Sequence, residues 1–290
     1  MAVVDHLNAG ILHPGSMGSR VAAQLVEAGA TVWWLPGGRS AATRKRAEGF
    51  GLRSAESLDQ LASACSVILS VCPPAAAADV AGQVAAAGFD GVYVEANAVS
   101  PATTLAIAAT LRPGGATVVD GGITGPPPQR PGTSRLYLSG DDAAVEQVRV
   151  VFDGTLLTPC VIKGPVGRAS ALKLAFAAYN KVSYVLAAHS YALADGYGVL
   201  AELEELAGHV VPRTPLGQPD RLASAGPRAW RWEPELREIA QAGEAVGVPG
   251  AVVNAAADVL LRWSAHKDDD QVTLAQLLAD LADGSQWPGP

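Results

Sequence analysis

Five short runs of apolar residues, at 9–12, 31–35, 67–71, 92–95 and 117–120, punctuate the first part of this chain. Apart from Thr31, Ser70, Glu95, Thr117 and Asp120 they are continuously apolar rather than apolar at alternate positions. A strand with one wet face shows a period of two, so continuous runs suit strands covered on both faces, as in a parallel sheet. Between them lie segments rich in helix formers, at 21–28, 41–50, 58–64, 79–86 and 102–111. Strands alternating with helices of this length predict a doubly wound, mainly parallel α/β sheet. Two further strands are expected at 135–139 and 156–162, around a helix near 143–152.

The character of the chain changes after Lys163. From Gly167 to Ala194 no proline occurs and Ala, Leu, Lys and Tyr dominate. This predicts one helix of roughly 28 residues, longer than most globular helices. Further helices are expected at 200–211, 233–245, 251–264 and 272–281. The stretch 212–227 holds four prolines and reads as a loop, and the tail 283–290 as frayed. The 21 basic and 28 acidic residues leave a net charge of −7, with no dense basic run. That argues against nucleic acid or an anionic membrane as a partner. Three cysteines, Cys65, Cys72 and Cys160, match no common zinc spacing and read as reduced thiols of a cytoplasmic protein, with no metal site. No segment reads as a signal peptide or a membrane span.

The first strand runs into His13-Pro14-Gly15-Ser16-Met17-Gly18 and then a helix. Strand, glycine turn and helix are the geometry for a pyrophosphate. Gly15 admits close backbone approach, Gly18 lets helix and strand pack, and the helix N-terminus offers unpaired N–H groups. His13 stands where the first glycine of G-x-G-x-x-G is expected. It reads either as a phosphate donor or as a half-buried imidazole with no chemical task.

The second strand would end beside the adenosine ribose, where an NAD site carries an acid for the 2′-hydroxyl. The sequence there is Pro36-Gly37-Gly38-Arg39-Ser40, and the next acid is Glu48. Arg39 and Ser40, with Thr43 nearby, suit a 2′-phosphate, which a carboxylate would repel. The expected cofactor is therefore NADP(H).

Ligands in such sheets lie outside the carboxyl ends of the strands. Val71, Cys72 and Pro73 would lie under the cofactor there. Asn97, also a cofactor contact, Ser100 and Thr124 offer neutral hydrogen-bonding groups for a polar substrate. Asn97 and Ser100 also read as turn and cap residues. Lys173 is the general acid/base candidate. It lies in the first turns of the long helix among Ala171, Leu172, Leu174 and Phe176, where the helix dipole and burial would both lower its pKa. Asn180 and Tyr184 fall on the same helical stripe. Asp120 is a reserve proton source that could equally anchor the loop to Gly125.

Taken together, these residues resemble the β-hydroxyacid dehydrogenases, among them 3-hydroxyisobutyrate dehydrogenase and phosphogluconate dehydrogenase. The matching pieces are Gly15-Ser16-Met17-Gly18, Asn97 to Pro101 for the family's Ser-Thr-x-x-Pro, Thr124-Gly125-Pro126 for Ser-Gly-Gly, and Gly164-x-x-Gly167-x-Ala169-x-x-x-Lys173. The segment from Ala229 to Ala255 is similar to a phosphogluconate-dehydrogenase-like helical domain of bacterial oxidoreductases. The resemblance implies a Rossmann domain over 1–164 and an all-α substrate and dimerisation domain over 165–290 that begins with a long interdomain helix. It also implies a homodimer, with Lys173 as general acid/base. The family's asparagine four residues past the lysine is Ala177 here, which makes Asn180 the candidate replacement. The expected activity is hydride transfer between NADP(H) and a carbonyl or alcohol carbon of a small polar substrate. The alternatives are imine reduction, although imine reductases usually lack the lysine, and non-catalytic NADPH sensing. The apolar long helix is expected to be wrapped by the partner subunit, with an inter-subunit site near Trp230 and Trp232.

Overall fold

The computed structural model describes residues 7–282, so the expectation of a frayed tail at 283–290 lies outside the described residues. The chain divides into two compact units, Met1–Leu174 and Ala175–Pro290.

The first unit is a sheet of eight strands with helices on both faces. The strands are β1 (Asn8–Leu12), β2 (Thr31–Trp34), β3 (Arg53–Ser54), β4 (Val67–Ser70), β5 (Val92–Glu95), β6 (Thr117–Thr124), β7 (Ser134–Gly140) and β8 (Leu157–Val161). Their order is β3-β2-β1-β4-β5-β6-β7-β8. Every neighbouring pair is parallel except β6 and β7. Between them run α1 (Ser16–Glu27), α2 (Ala41–Gly49), α3 (Leu58–Ala64), α4 (Ala77–Ala86), α5 (Pro101–Leu111) and α6 (Asp142–Phe152). The continuous apolar runs are explained by two separate cores. Ile11, Val32, Leu69, Val94 and Val119 pack on one face of the sheet, Ile68, Tyr93 and Val118 on the other.

Two strands differ from expectation. Arg53–Ser54 pairs as a two-residue edge strand too short to show a pattern. β6 continues past Asp120 through Gly121 and Gly122 to Thr124. Glycine ordinarily weakens a strand, but here it permits close approach. A Cβ on Gly122 would stand 2.9 Å from the Ala169 carbonyl oxygen, and one on Gly121 3.2 Å from that of Glu95.

Close approach at Gly122 is possible because Asp120 fixes the start of α7 (Arg168–Gly196). Asp120 Oδ2 accepts from Gly167 N at 2.8 Å, Ser170 N at 3.0 Å and Ser139 Oγ at 3.1 Å, while Oδ1 accepts from Ser170 Oγ at 2.5 Å. Ser139 Oγ in turn accepts from Ala169 N at 3.0 Å, and Thr104 Oγ1 lies 2.9 Å from Ser170 Oγ. The first-turn N–H groups that a helix leaves open are thus met by side chains of β6 and β7. Asp120 is therefore a buried helix anchor, whose bonds run to α7 and β7 rather than to the loop before Gly125.

α7 runs on into the second unit, followed by α8 (Leu200–Val210), α9 (Pro219–Leu222), α10 (Ala229–Glu244), α11 (Ala251–Leu261) and α12 (Leu274–Ala282). The segment 212–227 is not simply a loop. Pro219 opens α9, where a missing N–H costs nothing, and Ala223–Arg228 forms a 3-10 turn leading into α10. Within this unit Tyr184 packs edge-on against Trp232, with ring centroids 5.4 Å apart, and buried Lys181 pairs with Glu235. Arg237 of α10 ties to Asp258 of α11 at 2.6 Å. Tyr184 and Trp232 are therefore core residues of the second unit. Trp230 remains partly exposed, beneath Lys267. No helix among the described residues is long and apolar enough to cross a membrane.

Replacing Asp120 with Ala strands buried N–H and O–H donors, each worth about 1–3 kcal/mol when unmet. Chemical denaturation should show Asp120→Ala destabilised by about 3 kcal/mol or more. A loss under 1 kcal/mol would show that the anchor contributes little.

Candidate active site

The strand–turn–helix at β1 is built around a left-handed residue. His13 has φ 68°, a conformation glycine adopts freely and other residues rarely. This explains why the glycine pattern opens there. The turn needs the conformation, and a histidine supplies it at some cost. Gly15 N bonds back to His13 O at 2.7 Å, and α1 starts at Ser16 with no side-chain cap. A Cβ on Gly18 would come 2.5 Å from the His13 carbonyl, so packing dictates that glycine. A Cβ on Gly15 would meet nothing nearer than 4.0 Å. Packing does not require glycine at that position, but an anion reaching the helix N-terminus does. Pro14 is buried, Ser16 is exposed at the first helical position and Met17 packs against the core.

Beside the turn lies a cavity of about 360 Å³ lined by Leu12, His13, Leu35, Arg39, Asp79 and Gln83, among others. His13 Nδ1 and Arg39 Nε are both buried without a hydrogen-bond partner. Burial, and then the Arg39 guanidinium, push His13 down to about 4. Burial likewise lowers Arg39. Both residues line the same cavity, and two unsatisfied nitrogens on them fit an anionic group. Ser40 caps α2, accepting from Thr43 N at 3.2 Å, with Thr43 Oγ1 at 3.1 Å. Ser40, next to Arg39, is exposed, and Thr43 is half-buried. These features fit the adenosine and phosphate parts of a dinucleotide.

The carboxyl ends of the central strands carry a row of polar residues. Ser70, Glu95, Asp120 and Ser139 are register neighbours on β4, β5, β6 and β7, and none has measurable exposure. Asn97 closes one end of the row. Its Oδ1 accepts from Cys72 N at 2.5 Å, its Nδ2 donates to Ser70 Oγ at 3.0 Å, and its N–H donates to Glu95 Oε1 at 3.1 Å. Asn97 thus braces the chain after β4, including half-buried Val71 and Cys72 and exposed Pro73. The Cys72 thiol is pushed up by burial to about 11 and is inert at neutral pH.

Glu95 is the residue that sequence reasoning missed. Its Oε2 is buried without a hydrogen bond. Burial is the main cause that pushes it up to about 8, with Asp120 adding to the rise and Asn97 and Lys173 opposing it. Lys173 stands one turn beyond Ser170, half-buried, with its Cβ over Gly122. Ser100 is the N-cap of α5, accepting from Thr103 N at 3.1 Å. Thr124 ends β6 opposite Arg135, before Gly125, where a Cβ would strike the Thr133 carbonyl. Lys173, Glu95 and Asn97 thus gather at the ends of β5 and β6, and His13, Gly15, Gly18 and Arg39 at the ends of β1 and β2. Asn180, half-buried on α7, belongs to the second unit.

Residues 9–161 match the family described as the NAD binding domain of 6-phosphogluconate dehydrogenase. The chain belongs to that family, within the β-hydroxyacid dehydrogenase-like superfamily. Residues 194–263 match a domain of unknown function, DUF1932. No curated protein matches the sequence. Among solved structures, the chain is similar to a Mycobacterium tuberculosis 3-hydroxyisobutyrate dehydrogenase with L-serine. That match has 18% identity and a TM-score of 0.75, and covers 96% of this chain and 99% of the other. It is also similar to a Streptomyces aurantiacus imine reductase, at 18% identity and a TM-score of 0.61, covering 94% and 99%. A third, Psf3 in complex with NADP+ and 2-OPP, shares 15% identity at a TM-score of 0.68, covering 94% and 100%. At these identities what is shared is the fold. The family supplies a nicotinamide cofactor, for which the turn and cavity at β1 are suited.

His13 makes the turn testable without a ligand. Its pKa lies at about 4 in the folded chain against the usual 6.5. Between those values the unfolded chain binds the proton and the folded chain does not, so stability falls as pH drops through that window. His13→Gly removes this loss. It also relieves a left-handed side chain, about 1–2 kcal/mol, against roughly 0.5–1 kcal/mol of added chain entropy. Denaturant titrations should find His13→Gly as stable as the parent at neutral pH and less acid-sensitive between pH 6.5 and 4. An unchanged acid slope would mean another group titrates there.

Proposed function

We propose that this chain is an NADP(H)-dependent oxidoreductase that moves hydride between the nicotinamide and a carbonyl or alcohol carbon of a small polar substrate. The observation that carries this reading is Lys173 over Gly122, beside a buried acid, at the carboxyl ends of the sheet that also holds the phosphate turn. The cofactor, when bound, supplies the hydride chemistry. The open N-terminus of α1, from Gly15 to Gly18 with Ser16 and Met17, holds the pyrophosphate. Arg39, Ser40 and Thr43 hold the 2′-phosphate, and the Psf3 structure, with NADP+ bound, supports that choice. Val71, Cys72, Pro73 and Asn97 support the nicotinamide end. Lys173 gives or takes the proton on the reacting oxygen, and Thr124 and Ser100 orient the substrate.

NADPH should bind at least about tenfold more tightly than NADH, about 1.4 kcal/mol, and Arg39→Ala should erase most of that difference. Equal dissociation constants in the parent protein would overturn the NADP reading.

Turnover is tested with a panel of β-hydroxy acids, β-keto acids and cyclic imines, the last because an imine reductase shares the fold. Lys173→Met keeps the bulk and removes the amine. It should leave NADPH binding intact and lower turnover by about two to four orders of magnitude. Turnover within a few-fold of the parent would make Lys173 structural. NADPH binding with no turnover on any substrate would favour a sensor.

The second unit carries a further expectation. Phe176, Tyr179, Leu186 and Leu193 are 54–71% exposed along α7, three or seven residues apart as on a single stripe, and Tyr197, just past its end, is 79% exposed. An apolar stripe of that length needs a cover, and we propose that a second copy supplies it in a homodimer. Light scattering at micromolar concentration should return twice the 29.6 kDa chain mass. A monomer mass would refute the assembly.

A further inference from the structure

The buried row at the strand ends places two carboxyls side by side, and they are satisfied very differently. Asp120 accepts from four donors, Gly167 N, Ser170 N, Ser170 Oγ and Ser139 Oγ. Both of its oxygens are thus occupied as acceptors. Glu95, its register neighbour on β5, is met by Asn97, whose N–H donates to Oε1, while its Oε2 is buried without a hydrogen bond. Adjacent buried carboxyls do not both ionise at neutral pH unless a cation joins them.

The fold brings a cation to that place. α7 starts on Asp120, and one turn after Ser170 it sets Lys173 over Gly122, two residues beyond Asp120 on the same face of β6. The other titratable groups acting on Glu95 supply no charge. Tyr93 lies two residues back on the same face of β5 and Cys72 lies after β4, and burial raises both so that they stay neutral. Asp79, Arg39 and His13 line the separate cavity at β1 and β2.

We propose that Glu95 is a positioning residue for Lys173: the buried carboxyl and the amine hold one proton between them, and this sharing sets the pH range in which the amine exchanges the reacting proton. The proposal rests on the reading of Lys173 as the acid/base group. In one form Glu95 is a carboxylic acid and Lys173 a neutral amine. In the other the proton has moved and the two are a carboxylate and an ammonium. For oxidation of an alcohol, the first form accepts. The O–H bond of the substrate breaks, its proton joins the Lys173 nitrogen, and the hydride from carbon goes to the oxidised nicotinamide. Both electrons of the C–H bond leave with the hydride, and no other oxidant is needed. Asn97 places the acid, because its N–H fixes one carboxyl oxygen and its side chain is held by Cys72 and Ser70.

The test needs no substrate, so its outcome is separate from that of the turnover assays. Lysines of the whole protein are labelled by reductive 13C-methylation and titrated by NMR, with Lys173→Met assigning the resonance. Glu95→Gln removes the anion that stabilises the ammonium. The midpoint of Lys173 should fall by about one pH unit or more while the other lysines stay put, and Glu95→Asp should restore part of the shift. A Lys173 midpoint unmoved in folded Glu95→Gln overturns the proposal. If that variant does not fold, the carboxyl itself is followed in 13C-glutamate-labelled parent protein. Glu95 should then titrate well above the surface glutamates and rise further in Lys173→Met. Titration together with the surface glutamates overturns the proposal as well. A shifted lysine with no turnover on any substrate would support the coupling and count against the oxidoreductase reading. Once a substrate is known, Glu95→Gln should move the acid limb of kcat to lower pH, where a purely structural residue would lower kcat equally at every pH.

Discussion

The carboxylate of Asp120 is the fixed point of the N-terminal unit. It ends the apolar part of β6 and is buried without measurable exposure. That burial is tolerable because four donors surround it, three of them from the first residues of α7 and its approach. A buried charge satisfied in this way specifies direction as well as energy. It sets where the long helix starts, which turn of it faces β6, and therefore where Lys173 stands. Gly122 is the complement of that interaction, since any side chain there would hold the Ala169 carbonyl away.

The same logic in reverse operates at the other end of the sheet. His13 and Arg39 carry buried nitrogens that no group of the described chain satisfies. Arg39 depresses the imidazole further, so the turn stays neutral at His13 and cationic at Arg39. Unmet polar groups of this kind cost stability in the absence of a ligand. Folds keep them where a ligand repays the cost, and the uncapped start of α1 is a third instance within the same few residues. Gly15 belongs with them, because the interior makes no demand for glycine there.

Much of this was legible in the sequence. Continuous apolar runs and intervening helix formers reveal the layered sheet because each depends on residues close in the chain. The glycine turn, Arg39 with no acid near it and Lys173 at the head of a proline-free stretch are local signals of the same kind. What was not legible depends on register. Ser70, Glu95, Asp120 and Ser139 are 25, 25 and 19 positions apart, and become a row only when four strands pair. Glu95 closes an apolar run and carries no motif of its own. Asp120 could be read as an acid in reserve because its donors come from residues 139 to 170. Prolines hid α9, although the first turn of a helix is where proline costs least. Tyr184 was placed on one stripe with Lys173 because a helical wheel gives direction without saying what packs there, and what packs there is Trp232.

The two unfinished regions differ in sign, and this is the last step in reading the site. The ends of β1 and β2 present a guanidinium, an imidazole and a helix N-terminus, all suited to anions. The ends of β5 and β6 present a carboxylate and a carboxyl, tempered by one lysine. With strands about 4.8 Å apart, β2 and β6 are separated by roughly 19 Å across β1, β4 and β5. A ligand lying over these ends meets positive potential at one side and an acidic, largely dry region at the other. A dinucleotide is charged in the same order, with phosphates toward one end and, in its oxidised form, a cationic ring at the other. In the proposed reaction a hydride leaves a carbon as a proton leaves its oxygen, and two neighbouring buried carboxyls would let the lysine change charge without leaving an isolated charge in the interior. A sheet whose strand ends were uniformly basic would bind the phosphates as well, but it would keep the lysine from taking up the proton.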